Sequence, residues 1–427
     1  MPSISKDNYW GTLKNNGVLN RQVIGGRYGF VYDGQEYKDF YLLTNEMKWR
    51  LRDAGAKKGD LITISIMKVN LQHIASLIAC AELGLRIFIL DSPATKESLP
   101  FTKLALHGPS DYYIYSSKED TTKIYNGLHD EMMKRYGGVG IDCESPASSN
   151  KYFNHEYRDC DFPKVLPTDP LLVSSTSGTT GKSKPITFSH QEVMGISIRN
   201  IHTFWFVQNS KVVHSRNLHH ASAMLTHLLP ALFFCYGHSS FAIGHDLSAE
   251  EDVDRLIGLK DLLENPPSNI MIPNKSELYD FLETFGGRFK RTVNINMCGF
   301  ALDEEFVELA KEYNVLFQSH YGSIDTAIPL LVNYVGEHDK IIPNSLGILP
   351  DDFYKTTLEN GRMKVEHEWW DEPRYMEDEL ELINGQYIIH PKPRTEIEIP
   401  EGFDITPFYQ DTKLNYEQLR GHLSVTS

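Results

Sequence analysis

The run SSTSGTTGKSKP, residues 174–185, decides how the rest of the chain is read. Ser174, Ser175, Thr176, Ser177, Thr179, Thr180 and Ser183 crowd hydroxyls around Gly178 and Gly181, and Lys182 and Lys184 close the run. Glycine lets successive backbone amides turn inward into an anion-binding concavity, hydroxyls add donors, and lysines add point charges. The segment therefore reads as a phosphate-cradling loop. Apolar, β-rich residues flank it, so the pattern from Pro170 to Phe188 is strand, loop, strand.

A Walker A loop has the form GxxxxGK[ST], and Gly181-Lys182-Ser183 fits its end. Its leading glycine would have to stand at 176, which is Thr; Gly178 comes two residues late. Pro185 and the β-branched Ile186-Thr187-Phe188 then predict a strand where such an NTPase needs a helix. Walker chemistry fails on both counts.

Working outward, residues 36–60 place Leu42, Leu43, Met47 and Leu51 at helical spacing, and Gly55 and Gly59 stop the helix. A β-branched strand is predicted over Leu61–Met67, a helix over about Asn70–Leu83, and a strand over Arg86–Leu90. Strand, helix, strand argues for α/β with parallel pairing. Ser116–Asp161 is polar and aperiodic. Beyond the loop, helices and short strands alternate again: VVHS, a helix over Leu225–Phe234, SSFAIG, a helix near Ala249–Leu263, and NINMCG. After about Val332 the pattern changes. Asn360-Gly361 and Asn384-Gly385 each sit between alternating segments, a strong signal for two-residue hairpins, so an antiparallel β part follows.

The chain has 427 residues and a net charge of −15. That balance argues against nucleic acid or an anionic membrane surface as partner, since both need surplus positive charge. The N-terminus lacks the apolar core of a signal peptide, and no apolar stretch is long and uninterrupted enough to span a bilayer. Five scattered cysteines without a CxxC pair predict reduced thiols and a cytoplasmic protein. His214, His219, His220 and His227 lack an acidic or cysteine partner at ligand spacing, so they are not read as a metal site.

Together, SSTSGTTGKSKPITFSH resembles the phosphate-loop signature of the adenylate-forming enzymes, the superfamily of acyl-CoA synthetases, luciferases and non-ribosomal adenylation domains, usually written TSGTTGKPKG. Thr176, Ser177, Gly178, Thr179, Thr180, Gly181 and Lys182 match without a gap, Lys184 matches the second lysine, and His190 the trailing His. Ser183 and Pro185 depart from the usual Pro and Gly. The resemblance runs from about residue 20 to 420.

LHHASAMLTHLLPAL, from Leu218, resembles the HHGFGM segment, which implies that His220 lies near the acid's carboxylate with His219, Ser222 and Met224 lining the pocket. NMCGFALDEEFVELAKEYNVLFQSHYGSIDTA, from Asn296, resembles the stretch ending in YGxTE. It implies that Cys298, Gly299, Phe300 and Ala301 run along the adenine and acid pocket, that Tyr321 stacks on adenine beside Gly322, and that Asp325 binds Mg²⁺ in place of the family's Glu. Ile324 replaces a Thr that contacts the α-phosphate, and Thr326 would need a local shift to compensate. FYQDTKLNYEQLRGH resembles a shortened TGD motif and hinge, with Asp411 on the ribose hydroxyls and Arg420 before the hinge.

The implied fold is α/β: the large N-terminal domain of adenylate-forming enzymes, with two α/β subdomains of mostly parallel sheet and a small antiparallel β subdomain. The expected divisions are 1–165, 166–331 with the phosphate loop, 332–410, and a hinge stub at 411–427. The family's mobile C-terminal cap, with its catalytic lysine, is expected to be absent and to come from a separate partner protein if it is needed. The implied activity is ATP- and Mg²⁺-dependent conversion of a small carboxylic acid to an acyl-adenylate, for transfer to CoA, a carrier protein or an amine. Lys182, Lys184, His220 and Asp325 would carry the chemistry. The amino-acid-activating branch has an Asp early in the segment aligned with LHHASAML; its lack here favours an acyl or aryl acid. The alternative is a protein that binds a nucleotide or acyl-adenylate without turnover.

Overall fold

A computed structural model describes residues 17–21, 31–32, 35–64, 71–89, 110–117, 130, 133–134, 137–144, 163–175, 185–206, 211–214, 224–234, 237–240, 269–272, 275–285, 292–298, 302–323, 326, 329–336, 341–351 and 353–390. These residues form two compact units, one drawn from residues up to Ile198 and the other from Arg199 to His214 and from Leu225 onward.

In the first unit, a short hairpin of β1 (Val31–Tyr32) and β2 (Gln35–Glu36) leads into α1 (Tyr37–Asp53). There follow β3 (Leu61–Ile64), α2 (Leu71–Leu83), β4 (Arg86–Ile89), β5 (Tyr112–Tyr115), β6 (Val139–Asp142), β7 (Pro170–Ser175) and β8 (Pro185–Ser189). The sheet order is β6-β5-β3-β4-β7-β8, parallel throughout except for the antiparallel pair β7–β8. Eleven of the thirteen residues of α2 are buried, because its sequence is apolar nearly all round. Gly84 ends it with φ +68°, a left-handed conformation that glycine adopts at little cost. The predicted α1 burial needs one correction. Leu42 is 44% exposed, and the inward face is Phe40, Thr44, Met47, Lys48 and Leu51. The strand β6 lies inside the stretch read as irregular; at four residues it was too short to show a period.

One group of charges interrupts this hydrocarbon packing. Glu82, near the end of α2, takes Arg21 Nε and the Arg21 amide on Oε1, each at 2.8 Å, and Lys48 Nζ on Oε2 at 2.7 Å. Both cations hydrogen-bond the one nearly buried carboxylate, so each lies against an opposite charge, the condition under which such burial is tolerated. Cys80 and Cys143 are buried, and burial pushes the Cys80 thiol upward.

The helix α3 (His190–Thr203) carries the chain into the second unit. There β9 (Lys211–His214), α4 (Leu229–Phe234), β10 (Gly237–Ser240), β11 (Asn269–Met271), α5 (Lys275–Phe285), β12 (Val293–Cys298), α6 (Glu304–Tyr313), β13 (Val315–Tyr321) and β14 (Leu331–Val335) follow. Strands run β14-β13-β12-β11-β9-β10, all parallel except β13–β14. Of the SSFAIG stretch, Ser239 and Ser240 close the strand Gly237–Ser240 and the rest lies outside the described residues, and one turn of π-helix at Met224–Leu228 precedes α4 where a single α-helix was expected. The helix expected near 249–263 lies outside the described residues. No described helix is long and apolar enough to cross a membrane.

One face of this sheet is apolar. Val293, Ile295 and Met297 of β12 pack with Val315 and Phe317 of β13 against residues of α5 and α6, including Phe281 and Phe306. Asp303 caps α6 by accepting from the Glu305 amide at 3.1 Å, and Asn314 closes it in the left-handed region. A second sheet in this unit, β15 (Ser345–Gly347), β16 (Lys355–Glu359), β17 (Arg362–Glu366), β18 (Arg374–Ile383) and β19 (Gln386–His390), is antiparallel in the order β15-β19-β18-β17-β16. Glu359 pairs with Arg362 across Asn360-Gly361, and Ile383 with Gln386 across Asn384-Gly385. All four turn residues have positive φ, as the sequence predicted. The α/β class with parallel sheets and a trailing antiparallel sheet therefore holds.

Candidate active site

The phosphate loop hangs from a paired base. β7 and β8 pair antiparallel, with Ser175 opposite Pro185, so the two ends of the loop are held side by side. The loop residues Thr176, Ser177, Gly178, Thr179, Thr180, Gly181, Lys182 and Lys184 themselves lie outside the described residues. A strand follows the loop and a helix does not, the outcome that separates this chain from P-loop NTPases.

Just beyond, Ser189-His190-Gln191-Glu192 forms a capping box. Glu192 Oε2 accepts from the Ser189 amide and hydroxyl, each at 2.8 Å, and the Glu192 amide donates to Ser189 Oγ at 3.4 Å. The chain therefore switches from strand to helix within one residue. His190 is fully buried and its Nδ1 accepts from the Leu19 amide at 3.2 Å. Burial holds the imidazole down at about 4, against the opposing charge of Asp169 and with a smaller push from Lys58. It is thus neutral, with its proton on Nε2. Asp169 stands beside it. Burial raises its carboxyl, but hydrogen bonds from Lys58 and the Leu166 amide, with the charges of Lys58 and His190, outweigh that and hold it below the usual range. The family's trailing His is here a structural clasp at the base of the loop.

In the second unit, β13 ends at Tyr321. The Tyr321 hydroxyl donates to Asp378 Oδ2 at 2.5 Å, so a residue of β18 fixes the ring expected to meet adenine. Gly322 follows, half-buried. The Ser323 amide donates to Thr326 Oγ1 at 3.3 Å, and the Thr326 amide to the Ser323 carbonyl at 3.1 Å. Thr326 is fully buried, with its hydroxyl on the Ser323 carbonyl and on Met376 Sδ. Its hydroxyl is occupied within this turn. Ile324 and Asp325 lie between these two anchors and outside the described residues, as do His219, His220, Ser222, Gly299, Phe300, Ala301, Asp411 and Arg420. Met224 is buried at the start of the π-turn. Cys298 closes β12 in register with His320. In the turn 322–326 the one acidic side chain is Asp325, a hard oxygen donor of the kind Mg²⁺ takes singly together with phosphates.

Sequence reading missed a network of amides on the second face of the sheet. The end of α3 leaves carbonyls without helical partners. Gln318 Nε2 and Tyr334 Oη donate to the Thr203 carbonyl, Asn294 Nδ2 donates to that of Phe204 at 3.2 Å, and Asn269 Nδ2 to that of Trp205 at 3.4 Å. Trp205 has φ +52°, unusual for a bulky side chain, and its ring stacks on Tyr334 with centroids 4.5 Å apart. The available signal was the alternation Asn294-Ile295-Asn296-Met297. A parallel strand covered on both faces normally reads as continuous hydrocarbon, so polar residues at every second position marked a face with a different task.

The model of a family described as AMP-binding enzyme matches residues 23–244, just over half of the chain and including the phosphate loop. The chain belongs to the AMP-binding enzyme family. A search of curated proteins gives no match. Among solved structures, o-succinylbenzoate CoA synthetase (MenE) of Bacillus subtilis bound to a product analogue is similar at a TM-score of 0.66 and 15% identity, covering 87% of this chain and 77% of that one. The same enzyme in complex with ATP and magnesium ion gives 0.63 and 15%, covering 89% and 78%. The N-terminal subdomain of NpsA from Klebsiella oxytoca, in complex with anthranilyl-AMSN, gives 0.64 and 12%, covering 87% and 98%. These likenesses establish that this AMP-binding chain has the fold of the N-terminal part of adenylate-forming enzymes.

Proposed function

We propose that the protein activates a carboxylic acid with ATP. A carboxylate oxygen attacks the α-phosphorus, the bond from that phosphorus to the bridging oxygen breaks, and pyrophosphate leaves with the electron pair. The acyl-adenylate then passes to a thiol of CoA or of a carrier protein, or to an amine. The observation that carries this reading is the Ser/Thr/Gly/Lys loop clamped at both ends by β7 and β8 in a chain of the AMP-binding family.

Two anions must meet in this reaction, so the site has to neutralise charge as it forms. Loop amides with Lys182 and Lys184 take the phosphates, His220 lies at the acid's carboxylate, and Gly299 and Gly322 let the backbone approach the nucleotide. Tyr321, held by Asp378, offers its ring to adenine. Asp411 accepts from the ribose hydroxyls, and Arg420 precedes the hinge. Asp325 would hold Mg²⁺, which supplies further neutralisation of phosphate charge when bound.

The test is ATP–pyrophosphate exchange over a panel of acids, with and without candidate partner proteins. Exchange is expected with at least one acid, and Lys182→Ala is expected to lower it about 10²- to 10³-fold. Absence of exchange with every acid sinks the reading. A second reading, binding of a nucleotide or acyl-adenylate without turnover, draws on Ile324 and on the commitment of the Thr326 hydroxyl to Ser323 and Met376. Calorimetric binding of ATP or AMP with no pyrophosphate release would favour it.

A further inference from the structure

The antiparallel sheet meets the end of β13 at an irregular point of its own ladder. Lys364 pairs with Tyr375 and Arg362 with Glu379; Met363 alone lies between these pairs on β17, but Met376, Glu377 and Asp378 lie between them on β18. β18 therefore bulges at residues 376–378. Asp378 Oδ2 accepts from the Tyr321 hydroxyl at 2.5 Å. Met376 Sδ accepts from Thr326 Oγ1 at 3.5 Å and from Ser323 Oγ at 3.8 Å. Two residues of one bulge thus hold Tyr321, Ser323 and Thr326.

Local preference explains neither the bulge nor the carboxylate. Extra residues in a strand break its ladder, and aspartate is depleted from strands. Met376 and Leu380, on either side of Asp378, are buried and Asp378 is half-buried, so packing alone would be served by hydrocarbon. Bulges gather beside functional sites, where they re-aim a side chain. Here the side chain is aimed at Tyr321. Ladder pairing with Leu331 fixes the backbone of Tyr321, and the bond to Asp378, in the short range typical of a hydroxyl on a carboxylate, fixes the far end of its ring. A ring held at both ends has lost its freedom before a ligand arrives, so less is lost on binding.

We propose that Asp378 is a positioning residue for the nucleotide: it acts through Tyr321, and with Met376 it makes the bulge of β18 part of the support of the adenine site. This rests on the reading above, in which Tyr321 meets adenine, and adds to it a residue from a different sheet. The tyrosine hydroxyl donates, so position 378 needs an acceptor and not a charge. Asparagine can therefore replace Asp378, whereas alanine cannot.

The experiment measures AMP binding by calorimetry and the KM values of ATP and of the acid in pyrophosphate exchange. Asp378→Ala and Tyr321→Phe are each expected to weaken AMP about tenfold, and the double variant no further than either alone. Asp378→Asn is expected to stay close to the unaltered protein. The KM of ATP should rise with the Kd of AMP while that of the acid holds. A merely structural role would lower the urea midpoint and leave AMP affinity unchanged. That result, additive losses in the double variant, or Asp378→Asn as weak as Asp378→Ala overturns the proposal. Should Asp378→Ala fail to fold, Tyr321→Phe, which deletes a single oxygen, decides it: weakened AMP supports the proposal and unchanged affinity overturns it. AMP binding without exchange on any acid overturns acid activation alone, and no binding of AMP or ATP by the unaltered protein overturns both.

Discussion

The two parallel sheets solve the same packing problem with different materials. In the first unit, α2 and strands β3 and β4 bury hydrocarbon on nearly every side, and the carboxylate of Glu82 at the end of α2 gathers Arg21 and Lys48. In the second, strand β12 is divided. Val293, Ile295 and Met297 face a hydrocarbon core, while Asn294 meets the Phe204 carbonyl just past α3 and Asn296 meets the Asn269 amide. A hydrocarbon face is indifferent to orientation. An amide face is directional, so it fixes where a helix ends and which way an acceptor points.

The largest effect should come from the charge cluster on Glu82 in the first unit. Glu82→Ala would remove the carboxylate that Lys48 and Arg21 both meet, with an expected loss of about 3–5 kcal/mol in urea unfolding. A loss below ~1 kcal/mol would mean that the cluster is dispensable and that the first unit rests on hydrocarbon alone.

Acid comes next. His190 titrates at about 4 in the fold against an ordinary 6.5, so above pH 6.5 it is neutral in both states and contributes no pH dependence. Between 6.5 and 4 the unfolded chain binds a proton that the folded protein refuses, and stability falls as pH falls. The expected loss between pH 7 and pH 4.5 is about 2–3 kcal/mol. His190→Asn keeps an acceptor for the Leu19 amide and removes the titration, so it should flatten this part of the slope. His367 in the second unit, held at about 4 by burial with Arg199 and Arg374 nearby, acts with the same sign and should remain. Urea midpoints at the two pH values measure both.

The smallest effect sharpens the contrast from the amide side. Gln318→Leu removes one donor from the Thr203 carbonyl and one acceptor from Asn294, but Tyr334 still donates to Thr203. A loss of about 1–2 kcal/mol is expected. No loss would show that hydrocarbon serves this face equally well.

Much of the fold could be read from local pattern. Asn360-Gly361 and Asn384-Gly385 predicted their hairpins because a two-residue turn needs positive φ at both positions, a demand met within four residues. The strand, loop and strand around residues 170–188 were legible for the same reason, as was the continuous apolar surface of α2. β6 was not, because four residues with mixed exposure carry no period. At the candidate site, the strands flanking residues 176–184 could be read from sequence, whereas the hydroxyl partner of Tyr321 and the turn that claims Thr326 could not.

The amino-acid sequence by itself determined the element types, the turns and the family to which the chain belongs, since these depend on residues a few positions apart. Tertiary structure alone decided which amide meets which carbonyl. Gln318 reaches Thr203 across 115 positions, and Asn269 reaches Trp205 across 64. An amide can donate at one end and accept at the other, so its neighbours in space, and not its identity, fix which end each of them meets.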